Sequence, residues 1–320
     1  MLWSILLVLT VFAGLLLLVS FFGYWSATHP PRYRSAVTPA SFGWPYEPVE
    51  IATADGLRLR GWLVKGEAGN SPATRAIVML HGYPFDKGNI LPLGGYLRSE
   101  FDLLLFDFRS FGESEGSATT VGYREVGDLA AAVKLLRERG YQRIGVWGFS
   151  LGGAVALLSQ AADGRDDGGT AGQPDSGAMG RQGEVVWNGR GLQIDAIVAD
   201  SAYADLARLA EAYYGRVPGL SWLLAKLTEL WASALLGVHP RDVSPAVASR
   251  GTRTPVLLIH SRADDQIPFE NALEIQRALA ENSNARFWFV DGARHGEAWS
   301  RYRVEYEQRV QSFFREHLNR

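Results

Sequence analysis

Hydrophobic and polar positions divide this chain into an apolar leader, a short transition and a long alternating region. Residues 1–31 carry no charged side chain. The apolar run at 5–19, with its flanks, is long enough to cross a hydrocarbon core of about 30 Å. The pattern predicts a single-pass membrane anchor over residues 1–25. Tyr24, Trp25 and Tyr33 suit the membrane interface. The rival reading is a cleaved signal peptide, which normally has a basic n-region and a small-residue cleavage site. Here no Lys or Arg precedes the run, and only a poor site near Ser26-Ala27 follows it. Arg32 and Arg34 lie on the domain side, so the positive-inside rule places the domain in the cytoplasm. Residues 26–47 read as a linker resting on the membrane surface or on the domain.

From residue 48 to 320 the pattern is that of one domain. Residues 50–65 predict a hairpin turning at Asp55-Gly56. Continuous apolar runs then fall at 76–80, 103–106, 143–147, 196–199, 256–259 and 287–290. Such runs mean burial on both faces, as in a parallel sheet covered by helices. Val126, Leu129, Ala130, Val133 and Leu136 fall on one helical face. The fold class predicted is α/β, with a mostly parallel central sheet flanked by helices. Two stretches interrupt the alternation. Residues 163–193 are rich in Gly and Asp and predict a flexible surface insertion. Asp163, Asp166 and Asp167 do not keep calcium-loop spacing. Residues 205–250 are helical in pattern and strongly apolar. They predict a helical cap over the strand ends, lining an apolar pocket; the plain alternative is packing against the body or the membrane.

Composition narrows the function classes. The 320 residues carry a net charge of −2 with no basic run, so no nucleic-acid partner is expected. There is no cysteine, which excludes disulfides and thiolate metal sites. No H-E-x-x-H and no Walker motif occurs, so no metal or organic cofactor is signalled.

The chemistry centres on Gly148-Phe149-Ser150-Leu151-Gly152, a G-x-S-x-G motif between an apolar strand and a helix. A sharp turn there would hold the Ser150 hydroxyl out at the tip of the strand beside a helix N-terminus. A serine hydroxyl needs a base to take its proton, and the base needs an orienting acid. Of six histidines, His295 lies on a loop after the last strand and is the expected base. Asp264 and Asp265 both follow the strand ending at His260. Asp264 is the preferred acid, Asp265 is read as a solvated loop acid, and Asp200 is a third candidate. Two backbone amides are expected as the oxyanion hole: Leu151, which follows the nucleophile, and Tyr83, since Pro84 has no N–H. The Tyr83 ring is open to two readings, lining an acyl pocket or packing.

These motifs resemble the α/β-hydrolase superfamily, and within it membrane-anchored serine hydrolases with a serine-aminopeptidase-like (BEM46-like) domain. The resemblance spans residues 48–316. It is carried by Leu80-His81-Gly82, the segment 107–116, the elbow, Ser244-Pro245, the segment 255–260 with Asp264 and Ile267-Pro268, and His295. It implies Ser150 as nucleophile, Asp264 as acid and His295 as base, and it supports Tyr83 and Leu151 for the oxyanion hole. Ser110 and Ser261 stand where the family usually has glycine.

The expected activity is hydrolysis of an ester through an acyl-enzyme. The apolar cap and anchor favour a small-molecule or lipid-like ester. A peptidase or amidase is the alternative, its ammonium-binding acids being sought at Glu211 and Glu229. A membrane-tethered binding protein with a vestigial triad is the non-enzyme alternative, against which the intact Ser, Asp and His argue.

Overall fold

Strands β1 (Tyr46–Ala52) and β2 (Arg58–Val64) form an antiparallel hairpin at one edge of an eight-stranded sheet. The remaining strands are β3 (Arg75–Leu80), β4 (Asp102–Phe106), β5 (Arg143–Phe149), β6 (Ala196–Asp200), β7 (Val256–Ser261) and β8 (Ala285–Val290). The sheet order is β1-β2-β4-β3-β5-β6-β7-β8, with β3 to β8 mutually parallel where they pair. The helices are α1 (Leu2–Thr28), α2 (Lys87–Gly94), α3 (Glu125–Glu138), α4 (Leu151–Leu158) and α5 (Leu206–Tyr213). They continue with α6 (Ser221–Leu236), α7 (Pro245–Ala248), α8 (Glu270–Ala278), α9 (Ala298–Arg301) and α10 (Arg303–Leu318). The computed structural model describes residues 1–67, 74–161, 192–215 and 219–319. All but the last two positions of the expected 163–193 insertion lie outside the described residues.

The predicted α/β architecture is present, and two-residue alternation builds it. In β3, Ala76, Val78 and Leu80 join the core shared with α3, α4 and α8. Ile77 and Met79 face the other core, shared with α2 and α10. In α3 the fully buried stripe is Val126, Leu129, Ala132, Val133 and Leu136, so Ala132 takes the place expected for Ala130.

Several strands run past the polar residues at which the apolar pattern stops. Phe149 pairs with Asp200, and Ser261 pairs with Val290. A polar side chain does not interrupt a backbone ladder, so hydrophobicity underestimates strand length at this end. The hairpin likewise starts earlier than expected, because Tyr46 and Pro48 pair with Val64 and Trp62.

The transition segment is bound to the domain. Thr119 N donates to Thr28 O at 2.8 Å and Ser35 N donates to the Asp86 carboxylate at 2.6 Å. The Trp44 ring lies under the Arg98 guanidinium. Arg32, the residue behind the orientation argument, donates to the carbonyls of Ser114 and Gly116.

Helix α1 is long and apolar enough to cross a membrane. Its C-terminal third is buried at Ser20, Gly23, Tyr24 and Thr28. It packs on α6, one of the two longer helices of the excursion between β6 and β7.

Candidate active site

The sheet's direction of winding reverses at β3. From there β4 lies to one side and β5 to the other, so the loops after β3 and β5 open a crevice at the C-terminal edge. Register aligns the strand ends: Leu80 pairs with Gly148, Phe149 with Asp200, and Asp200 with Ile259. The residues that follow these strands therefore meet.

Ser150 sits between β5 and α4 with φ 52° and ψ −113°. A non-glycine residue with positive φ costs on the order of 1–3 kcal/mol unless its surroundings fix it. Here Ser150 N donates to Asp200 O at 2.8 Å. The flanking glycines make the turn possible through close backbone approach. A β-carbon on Gly148 would collide with the Gly152 carbonyl, and one on Gly152 with the Leu80 carbonyl. Ser150 itself is buried.

His295 Nε2 lies 3.0 Å from Ser150 Oγ, and its Nδ1 lies 2.8 Å from Asp264 Oδ2. With Nδ1 donating to the carboxylate, Nε2 of the neutral ring accepts from the serine hydroxyl. The other Asp264 oxygen accepts from Ile267 N at 2.8 Å and Gln266 N at 2.9 Å. Burial works against ionisation of Asp264, but His295 and these two amides outweigh it and hold the carboxyl below the ordinary aspartate value.

The remaining predicted residues divide. Asp200 does not reach His295 by hydrogen bond; its carboxylate accepts from Tyr306 OH at 2.8 Å and Ser201 Oγ at 2.9 Å. Burial pushes its pKa up to about 6 against those two donors. Asp265 is not simply solvated. It accepts from His295 N at 3.2 Å and pairs with the Arg294 guanidinium at 2.5 Å, so it holds the main chain of the histidine loop. Leu151 opens α4, and Tyr83 follows β3 with a cis Tyr83–Pro84 peptide. Among the described residues, neither of these two amides donates to a backbone carbonyl. The Tyr83 ring packs edge to face on Phe111, and its hydroxyl donates to Ser26 O of α1 at 2.5 Å.

Two histidines inside strand-end motifs are structural. His81 Nδ1 donates to Gly82 O at 2.9 Å, while Nε2 accepts from Phe108 N at 3.0 Å. Burial favours its neutral form. His260 Nε2 donates to Ile267 O at 2.9 Å, which closes the loop carrying Asp264.

Sequence reasoning missed Ser261, whose hydroxyl donates to Ala293 O at 2.5 Å, two residues before His295. Its departure from the family glycine was the available signal. Glu229, sought as an ammonium-binding acid, is buried and paired with Lys226 and Arg241. Glu211 is exposed on α5. Among the described residues, no three His, Asp or Glu side chains converge as metal ligands would.

The fold agrees with what the chain is similar to. Residues 77–307 match the family described as the alpha/beta hydrolase family. The uncharacterized protein YfhR of Escherichia coli K12 is 28% identical over 277 residues, covering 82% of this chain and 81% of that one. Protein bem46 of Schizosaccharomyces pombe is 30% identical over 144 residues, covering 43% of this chain and 47% of that one. The solved structure of the Pyrococcus furiosus esterase Pf2001 aligns with a TM-score of 0.68 and 26% identity, over 91% of this chain and 98% of that one. The chain belongs to the α/β-hydrolase family and, over part of its length, is similar to protein bem46.

Proposed function

We propose that this α/β hydrolase is a membrane-anchored serine esterase in which Ser150, His295 and Asp264 are the catalytic residues. The observation that carries the reading is the continuous hydrogen-bonded path from Ser150 Oγ through His295 to Asp264, at 3.0 and 2.8 Å. The esterase described for the Pyrococcus furiosus relative supports the ester class.

In the first half-reaction Ser150 Oγ attacks the acyl carbonyl carbon while His295 Nε2 takes its proton. The resulting imidazolium is stabilised by the Asp264 carboxylate through Nδ1–H. Negative charge developing on the carbonyl oxygen is met by the amides of Leu151 and Tyr83 and by the N-terminus of α4. The tetrahedral intermediate collapses, and His295 returns the proton to the departing alcohol oxygen. In the second half-reaction His295 deprotonates a water that attacks the acyl-enzyme, and the carboxylic acid leaves with Ser150 reprotonated.

Engagement of Glu229 by Lys226 and Arg241 removes one of the two acids an aminopeptidase reading relied on. The apolar helix α1 serves as a retained anchor, with the domain on the cytoplasmic side. The test uses the detergent-solubilised full chain with p-nitrophenyl acyl esters of increasing chain length and with aminoacyl p-nitroanilides. Ester turnover lost in Ser150→Ala is expected. Anilide turnover without ester turnover would contradict the esterase reading.

A further inference from the structure

We propose that α6 lies in the membrane beside the anchor, so that the enzyme takes its ester from amphiphiles held in the bilayer. This rests on the reading of α1 as a membrane anchor.

Ser20 marks where α1 passes into the protein. Its hydroxyl accepts from Trp231 Nε1 at 3.1 Å, and its carbonyl accepts from Thr228 Oγ1 at 3.2 Å. Phe21 meets Trp231 edge to face at 5.4 Å. Gly23 is a flat spot on which the Tyr214 hydroxyl rests; any β-carbon there would collide with it. Beyond these contacts α1 belongs to the domain. The 18 residues before Ser20 in α1, 2–19, span about 27 Å at 1.5 Å per residue, close to the thickness of a hydrocarbon core.

Helix α6 does not stop at that level. Leu16, one turn deeper, packs against Tyr214, Leu224 and Ala225. Four residues of helix are about 6 Å, which puts the N-terminal half of α6 at the depth of an interfacial helix. The composition of α6 fits that depth. Its only charged side chains are Lys226 and Glu229, which pair with each other at 2.5 Å. Helix α10, of the same 16-residue length, carries six Asp, Glu or Arg residues. On α6 the outward positions are apolar: Trp222, Leu230 and Leu235 are each more than half exposed. Helix α6 packs along α1, whose own outward side chains are apolar and exposed. Lipid is therefore the occupant the geometry selects. The same helix pair reaches the reaction centre, since Ser26 near the end of α1 accepts from Tyr83, whose amide is assigned to the oxyanion hole. An ester linkage at headgroup level would then need to leave the bilayer by only a short path.

The chain has no cysteine, so single labels can be placed without background. Trp222→Cys on the N-terminal half of α6, Val11→Cys on the exposed face of α1 and Glu281→Cys on the exposed domain surface would each carry a nitroxide. The full chain would be reconstituted in phosphatidylcholine vesicles, and collision with oxygen would be compared with collision with a water-soluble nickel chelate. The proposal expects an oxygen-to-nickel ratio at Trp222 between those at Val11 and Glu281 and several-fold above that at Glu281. Leu230→Cys, on the same helix at the level of Ser20, reports in its place should Trp222→Cys fail to fold, again with a ratio above that at Glu281. A water-like ratio on α6 with a lipid-like ratio at Val11 overturns the proposal and leaves the anchor standing. Protection of α6 from both reagents means cover by protein, such as a second copy, and also overturns it. A water-like ratio at Val11 overturns the anchor reading and this proposal together.

Discussion

Asp265 accepts a hydrogen bond from the main-chain amide of His295, while its neighbour Asp264 accepts one from the ring of the same residue. Adjacent carboxylates thus do different work. In the proposed mechanism Asp264 sets the tautomer and steadies the imidazolium, while Asp265, exposed and paired with Arg294, positions the loop.

Substitution of the two acids should separate these roles. Asp264→Asn keeps the shape but loses the charge and the tautomer control, and kcat is expected to fall by on the order of 10³–10⁴-fold. Asp265→Asn retains an oxygen that can accept from His295 N, so its loss should be no more than about tenfold, as befits an exposed pair. Steady-state kinetics on a p-nitrophenyl ester check both; equal losses would contradict the division.

The two serines that replace family glycines should respond in opposite directions when glycine is restored. Ser110 has φ 68°, a left-handed conformation that favours glycine, and among the described residues its buried hydroxyl has no hydrogen-bond partner. Relief of both, offset by the greater chain entropy of glycine, predicts that Ser110→Gly stabilises by about 1–2 kcal/mol and raises Tm by roughly 2–6 °C. Ser261→Gly removes the bond to Ala293 O that steadies the His295 loop, so kcat should fall several-fold. Thermal melts and kcat on both variants test this. A lowered Tm in Ser110→Gly or full activity in Ser261→Gly would refute the respective claim.

These residues also show what the sequence made legible. The elbow, the strand-end positions and the spacing of Ser150, Asp264 and His295 were readable because a parallel sheet brings successive strand ends to one edge. Pattern alone could not reveal long-range partners. Arg109, for example, bonds Asp55 in the hairpin turn and Asp128 in α3. Its role depends on residues 54 and 19 positions away, which no local periodicity records. The contact of α1 with Tyr214, Thr228 and Trp231 escaped for the same reason. An apolar helix looks the same in sequence whether lipid or protein lies along its last turns.

Asp200 predicts a pH dependence of stability. Its folded pKa is raised from 3.8 to about 6 by burial, so between those values the folded state holds a proton that the unfolded state has lost. Stability from this group is therefore present below pH 4 and lost as pH rises through 6. At 1.36 kcal/mol per pKa unit the loss is about 3 kcal/mol. Asp264 acts with the opposite sign, contributing stability above the ordinary aspartate range that is lost as pH falls through its lowered value. Melting curves of wild type and Asp200→Asn between pH 4 and 7 should show a smaller decline in the variant. Parallel curves would contradict the assignment.

Covalent labelling reads whether Ser150 is an activated nucleophile. The detergent-solubilised full chain would be treated with a fluorophosphonate, digested and analysed by mass spectrometry. One phosphonylated site, Ser150, is expected, with labelling abolished in Ser150→Ala and strongly slowed in His295→Ala. A folded wild type that remains unlabelled, or labelling on a different serine that persists in Ser150→Ala, would contradict it.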